Sequence, residues 1–264
     1  MPVPLHLPDR LDERLQHSPL RLVVCQVRHS KTVGVSDAGL LLQVQERLGE
    51  RYPDATAFEQ HELVFAAGPA GANASAQKSQ LGWQLKSEDG WTVTLQTEFF
   101  SLETSSYADW ADFRSRFSEL LQTVAESYAP KLEQRLGLRY VDEIERPDLA
   151  HPADWRDRID GAVLGPVADP DLGPSVRVAQ QVLEFDGPDN SRVILRHGCE
   201  PRGDRGPGTV YRLDHDCFRQ RARPFAVDTI IGTLEGLHHT ALSLFQRTIT
   251  SSLYSELKGD GVAE

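Results

Sequence analysis

The spacing of apolar residues switches along the chain between a period of two and a period near 3.6, and those switches mark out its elements. Residues 20–28 (LRLVVCQVR) are apolar on both alternating faces at the centre, which predicts a strand in mid-sheet. Ser36 reads as the N-cap of a helix reaching about Arg51, with Leu40, Leu41, Val44 and Leu48 on one face and Pro53 beyond its end. Residues 58–66 form a short strand candidate, and 68–79, rich in Gly, Ala, Ser and Asn, read as a mobile loop. Segments 83–85 and 91–97 flank Ser87-Glu88-Asp89-Gly90, a hairpin signal, and the second strand is expected to run on through Phe100 and Leu102. Ser106 to Asp109 has the form of a capping box with Asp109 in the usual Glu position. It opens a helix whose stripe is Trp110, Phe113, Phe117, Leu120, Leu121, Val124 and Tyr128. Pro130 should kink or restart this helix, and Gly137 should stop it.

The order then repeats: a strand over 138–146, a short helix over 154–164, a hairpin of 176–185 with 192–199, a strand over 209–218, and a long helix from about Pro224 to about Leu257. Leu20 and Leu138 lie 118 positions apart, as do Arg28 and Arg146. Phe113, Phe117, Leu120, Val124 and Tyr128 match Ile230, Leu234, Leu237, Ala241 and Phe245 at an offset of 117. Gly90 and Gly187 are only 97 apart, and the loop over 200–208 restores the register. The expected fold is α+β, made of two pseudo-repeated β-α-β-β-(β)-α halves, 18–137 and 138–257. Antiparallel strands would form one sheet or two abutting ones, with the long helices on one face. Residues 1–17, polar with three prolines, form an N-terminal arm, and 258–264 a C-terminal tail.

Composition narrows the class. Apolar residues at 39% and charged residues at 25% describe a soluble globular chain and exclude disorder, a collagen-like repeat and a membrane protein. A net charge of −11 repels phosphate backbones, so nucleic acid is a disfavoured partner without a local basic patch. Cys25, Cys199 and Cys217 are too few and too odd in number for a disulfide framework. With no apolar leader after Met1 and no run of 18 apolar residues, the expectation is a reduced, cytoplasmic protein away from membranes.

Three stretches carry a resemblance: Ser18-Pro19-Leu20 leading to Val24-Cys25-Gln26-Val27-Arg28; Phe100-Ser101-Leu102-Glu103-Thr104 with Tyr107 and Trp110; and the Arg135-Leu136-Gly137-Leu138-Arg139-Tyr140-Val141-Asp142-Glu143-Ile144 turn into a strand. From about residue 18 to about residue 255 the chain resembles a sporadically distributed bacterial protein family without an assigned activity. The resemblance implies a bacterial cytosolic protein of patchy occurrence, as for accessory, mobile or defence-linked genes. It carries over no catalytic residue, and Asp142 stands where members tend to have Asn.

Candidate chemistry is sparse. His197, Cys199, His215 and Cys217 form two His-x-Cys steps that could offer tetrahedral zinc two ligands each. Each pair, however, continues an apolar alternation, and a hairpin closed after Glu200 would place Cys199 near Thr209 or Val210, away from Cys217, so core packing is the better reading and no cofactor is expected. His238 falls on or beside a helical apolar stripe, where a general base would still need a polar partner. Asp142, Glu143 and Glu145 read as surface charge, with Tyr140 and Asp142 on one face of their strand. Cys25 sits in an apolar strand and should be inert. The 203–208 glycine cluster lacks both a Walker lysine and a following helix.

The one departure from the acidic background is Arg196, Arg202, Arg205, Arg212, Arg219, Arg221 and Arg223. Their guanidinium forks suit phosphate or carboxylate, against the alternative of a solvated loop with salt-bridged strands. Arg202, Arg205, Arg219, Arg221 and Arg223 are the candidate anion or partner site, with the last three alternating as a comb. The leading functional reading is a non-catalytic binding or adaptor protein for another macromolecule, in a setting such as bacterial defence or toxin control. A protein partner is expected, with self-association as the other arrangement. The alternatives are an enzyme or binder acting on a phosphorylated or anionic small molecule through the 196–223 region, and a nucleic-acid binder using the same arginines.

Overall fold

Strands β1 (Leu20–His29) and β6 (Leu132–Arg146) lie side by side near the middle of one ten-stranded, open antiparallel sheet. The computed structural model describes residues 3–8, 10, 12–32, 38–68 and 71–260, and their side chains except those of 38–41, 60–68 and 71–80. Outward from β1 come β5 (Phe99–Thr104), β4 (Trp91–Leu95), β3 (Gly71–Lys86) and β2 (Asp54–Gly68). Outward from β6 come β9 (Thr209–Arg219), β8 (Arg192–Pro201) and β7 (Ala179–Asp186), and the two-residue β10 (Arg223–Pro224) pairs with the start of β6. The fold is α+β, with α1 (Ala38–Leu48), α2 (Trp110–Ser127), α3 (Gly161–Leu164), α4 (Val227–Thr248) and α5 (Ser251–Lys258). Alternation assigns the faces. Val23, Cys25 and Val27 of β1, Leu138 and Tyr140 of β6, and Leu213 and Cys217 of β9 are buried with Phe113 and Phe117 of α2 and Ile230 and Leu234 of α4.

Several expectations need correction. Residues 71–79 are not a loop: they belong to β3, paired with β2 from Asp54↔Lys86 to Gly68↔Gly71. A backbone ladder satisfies N–H and C=O groups whatever the side-chain propensity. The strand after the 87–90 turn does not run on through Phe100. Gln96 N–H donates to the Phe99 carbonyl, and β5 folds back on β4 with Leu95 opposite Phe100. Gly90, at φ 87, supplies the left-handed residue that the earlier turn needs. The cap of α2 is Asp109, which accepts from the Asp112 N–H, rather than Ser106. Pro130 neither kinks nor restarts that helix: Ala129 turns left-handed (φ 44), and 132–137 join β6, held between β1 on one side and β10 then β9 on the other. The helix expected over 154–164 is a 3₁₀ segment (Pro152–Asp157) followed by α3. The last helix breaks where Ile249 is extended and the Thr250 hydroxyl caps α5. Ser36, the expected cap of α1, lies outside the described residues.

Candidate functional site

Among the described residues, all the arginines of 196–223 except Arg221 are already engaged. Most of their partners come from β6, adjacent to β9; those of Arg202, Arg205 and Arg212 lie on the face away from the helices, whereas Arg223 also bonds Thr229 and Thr233 of α4. Arg202 donates to Glu145 at 2.8 Å, Arg205 reaches Glu143 and Glu145 at 3.1 Å each, and Arg212 reaches Glu143 at 2.7 Å. Arg139 grips Asp214 through two hydrogen bonds of 2.7 and 2.8 Å, with Arg196 at 3.8 Å on the same carboxylate. Burial pushes the Glu143 carboxyl up, but hydrogen bonds and charge from Arg212 and Arg205 more than offset this and hold it below its ordinary range. The expected comb does not form. Arg219 is buried at the end of β9 and meets Glu133 at 2.6 Å; Arg223 closes on the same carboxylate, and Arg221 between them is exposed.

His197, Cys199, His215 and Cys217 all face the helix-covered core. The β8–β9 register sets Cys199 opposite Tyr211, a residue or two from the expected neighbours, and Cys217 opposite Val193. The two cysteines are therefore separated by roughly 20 Å along the ladder. His197 Nδ1 hydrogen-bonds Tyr211 Oη at 2.9 Å. Burial pushes the Cys199 thiol up to about 11, and those of Cys25 and Cys217 are raised by the same cause. Among the described residues, no three His, Cys, Asp or Glu side chains are grouped to hold a metal ion.

What the fold does bring together lies elsewhere, in a cavity of about 490 Å³ on the helix-covered face. Its walls are the N-terminal arm, the turn before α2, Tyr140 and Asp142 of β6, His215 of β9, and α4 with Tyr254 of α5. The arm is tied down at several points. Asp12 meets His238 at 3.2 Å, Glu13 accepts from Tyr254 Oη and Lys258 Nζ at 3.1 Å each, and the His17 N–H donates to the Leu257 carbonyl. His238 lies on the buried stripe of α4, stacked on Trp110 with ring centroids 3.9 Å apart, and its Nδ1 is 2.8 Å from Tyr140 Oη. A carboxylate can only accept, so Nε2 carries the proton toward Asp12, and in the neutral ring Nδ1 accepts from the Tyr140 hydroxyl. The hydrogen bond from His238 holds Asp12 below its ordinary range.

Behind this chain sit Asp142 and His215. Asp142 is 5% exposed, and its Oδ2 lies 3.9 Å from His215 Nδ1, beyond hydrogen-bond reach. His215 Nε2 is buried without a partner among the described residues. Burial pushes Asp142 up to about 7 and His215 down to about 4, so near neutral pH the imidazole is uncharged and the carboxyl is poised between its two forms. Asp142 is thus not the surface charge expected of it, although it does share a strand face with Tyr140. The polar partner that His238 lacked in the sequence is Asp12, 226 residues away in the arm, and no local pattern signals such a contact.

Fold and site together define an α+β protein with a single open antiparallel sheet and a polar cavity flanked by its last long helix. No protein-family model matches the chain, and no curated protein is significantly similar to it. Among the described residues no helix is long and apolar enough to cross a membrane.

Proposed function

We propose that this is a non-catalytic binding protein whose recognition site is the cavity between the arm, β6 and α4. The observation that carries this reading is the buried, incompletely partnered Asp142–His215 pair lining a half-open cleft of ligand size. The Asp12–His238–Tyr140 chain ends on the protein's own arm, which suits positioning better than turnover. Ala108→Trp, at an exposed lip of the cavity, provides the test. Protein isolated from its host should carry a small-molecule adduct in native mass spectrometry, and the variant should lose it. An adduct retained by the variant, or none in the parent, would refute the reading.

A second reading, recognition of another macromolecule, is favoured by the outer edge of the sheet. There β7 exposes Val182 at 66%, with Val178 just before it in the chain at 56%. An edge whose backbone, among the described residues, is met only at Asp186, by the Leu5 N–H of the arm, suits addition of a partner strand, from another protein or a second copy. Val182→Lys should then abolish the complex in sedimentation. The accessory or defence-linked setting rests on the sequence resemblance alone, and the cytoplasmic one on that resemblance together with the sparse cysteines and the lack of a long apolar run.

The duplication of 18–137 and 138–257 is likewise an inference. It is supported by the strand orders β1-β5-β4-β3 and β6-β9-β8-β7 outward from the centre, and by the matching stripes of α2 and α4. A single rotation superposing β1, β5, β4 and α2 on β6, β9, β8 and α4 would check it.

A further inference from the structure

From the placement of Asp142 we infer that the cavity takes a small organic cation, a protonated amine whose ammonium group sits against that carboxylate. The inference rests on the cavity being a binding site and goes on to name the chemistry of its occupant. A carboxylate removed from water is normally paired or accepts several hydrogen bonds. Asp142 lines the cavity, has no hydrogen bond among the described residues, and finds its nearest counter-group, the ring of His215, only at 3.9 Å. The surroundings favour positive charge. Asp12, bonded to His238, Glu13, paired with Lys258, and Asp109 add carboxylates to the walls, against Arg14 and the two histidines, His215 and His238. Tyr107, Tyr140 and Phe245 contribute ring faces of the kind that attract ammonium groups. An anion would meet this acidic rim first and then a carboxylate at the bottom. A neutral donor could satisfy Asp142 but would gain nothing from the rim.

Three probes of one size and different charge separate these cases: benzylamine, benzyl alcohol and benzoate, titrated by calorimetry at pH 8 into the parent and Asp142→Asn. The Asn variant removes a buried charge and keeps its shape, so a melting temperature at or above the parent's certifies its fold. The expected result is benzylamine binding at least ten-fold tighter than benzyl alcohol in the parent, with no benzoate binding, and loss of that preference in Asp142→Asn. Equal binding of amine and alcohol, or an amine preference surviving in Asp142→Asn, would overturn the cation assignment while leaving the cavity as a site. Preference for benzoate, or no binding by any probe, would also overturn it, and the Ala108→Trp experiment then judges the cavity separately.

Discussion

Asp142→Asn also makes a stability prediction whose size follows from the structure. Burial raises the folded-state pKa of Asp142 from 3.8 to about 7. Between those values the folded protein binds more protons than the unfolded chain, so this group's contribution to stability falls as pH rises and is fully lost above the folded pKa. A difference of about 3 pKa units corresponds to about 4 kcal/mol. Asn carries no charge in either state. The variant should therefore exceed the parent by about 2 kcal/mol at pH 5 and by about 4 kcal/mol at pH 8, the gap opening with pH up to about 7 and levelling off above it. His215 works in the opposite sense. Burial lowers its pKa to about 4, so it withdraws stability as pH falls from about 6.5 toward that value. Of the other titratable groups around the cavity, Tyr140 and Tyr107 are raised by burial and stay neutral across this range, and Asp12, lowered by its bond from His238, stays ionised. The parent's own pH curve is therefore flattened, and the difference between variant and parent isolates Asp142. Urea unfolding followed by fluorescence of buried Trp91 and Trp155 at pH 5, 6.5 and 8 measures it. A gap that does not change with pH, or a variant less stable than the parent at pH 8, would refute a buried, uncompensated carboxylate.

Phe117→Ala and Leu234→Ala remove fully buried side chains of α2 and α4 and should each cost about 2–5 kcal/mol in the same unfolding assay. Arg219→Leu should cost about 3–5 kcal/mol, because it strips one of two arginines from Glu133, itself 0% exposed, whereas Arg221→Glu should stay within about 0.5 kcal/mol. Cys25, Cys199 and Cys217 are free and buried with raised pKa values, so a thiol reagent at pH 8 should label none of them until denaturant is added.

Alternation was enough to find β8 and β9, because each has one face in the core and the other toward solvent or ion pairs, whereas β1 was found as a dense apolar run in mid-sheet. The stripes of α2 and α4 were legible for the same reason. Segments whose state depends on distant pairing were not. Residues 131–137 (KLEQRLG) have good helix formers and a helix before them, yet β1 on one side and β10 and β9 on the other draw them into a strand. The small residues of β3 give no period at all, and their pairing with β2 is the only thing that makes a strand of them. At the arginine region the sequence shows the cations, but the β6 carboxylates that Arg202, Arg205, Arg212, Arg219 and Arg223 meet lie 57–90 residues upstream. A local charge count is therefore misleading wherever the neighbouring strand is distant in sequence.

The two faces of the sheet handle polar groups by opposite rules, and that contrast locates the unusual chemistry. On the outer face Glu143, Glu145 and Asp214 each meet at least two arginines, at the modest net gain of partly solvated pairs. On the inner face, where an unpaired group is most costly, Asp142 and His215 Nε2 are left without hydrogen bonds. Packing does not require this. The adjacent strand β1 fills its inner face with Val23, Cys25 and Val27, whereas β6 presents Tyr140 and Asp142. An apolar inner face thus exists in the same sheet, on the neighbouring strand. Polar groups replace it on the side where the arm lies over the cavity, so the hydrogen bonds that Asp142 and His215 lack must be made with whatever fills that cavity, water or a ligand.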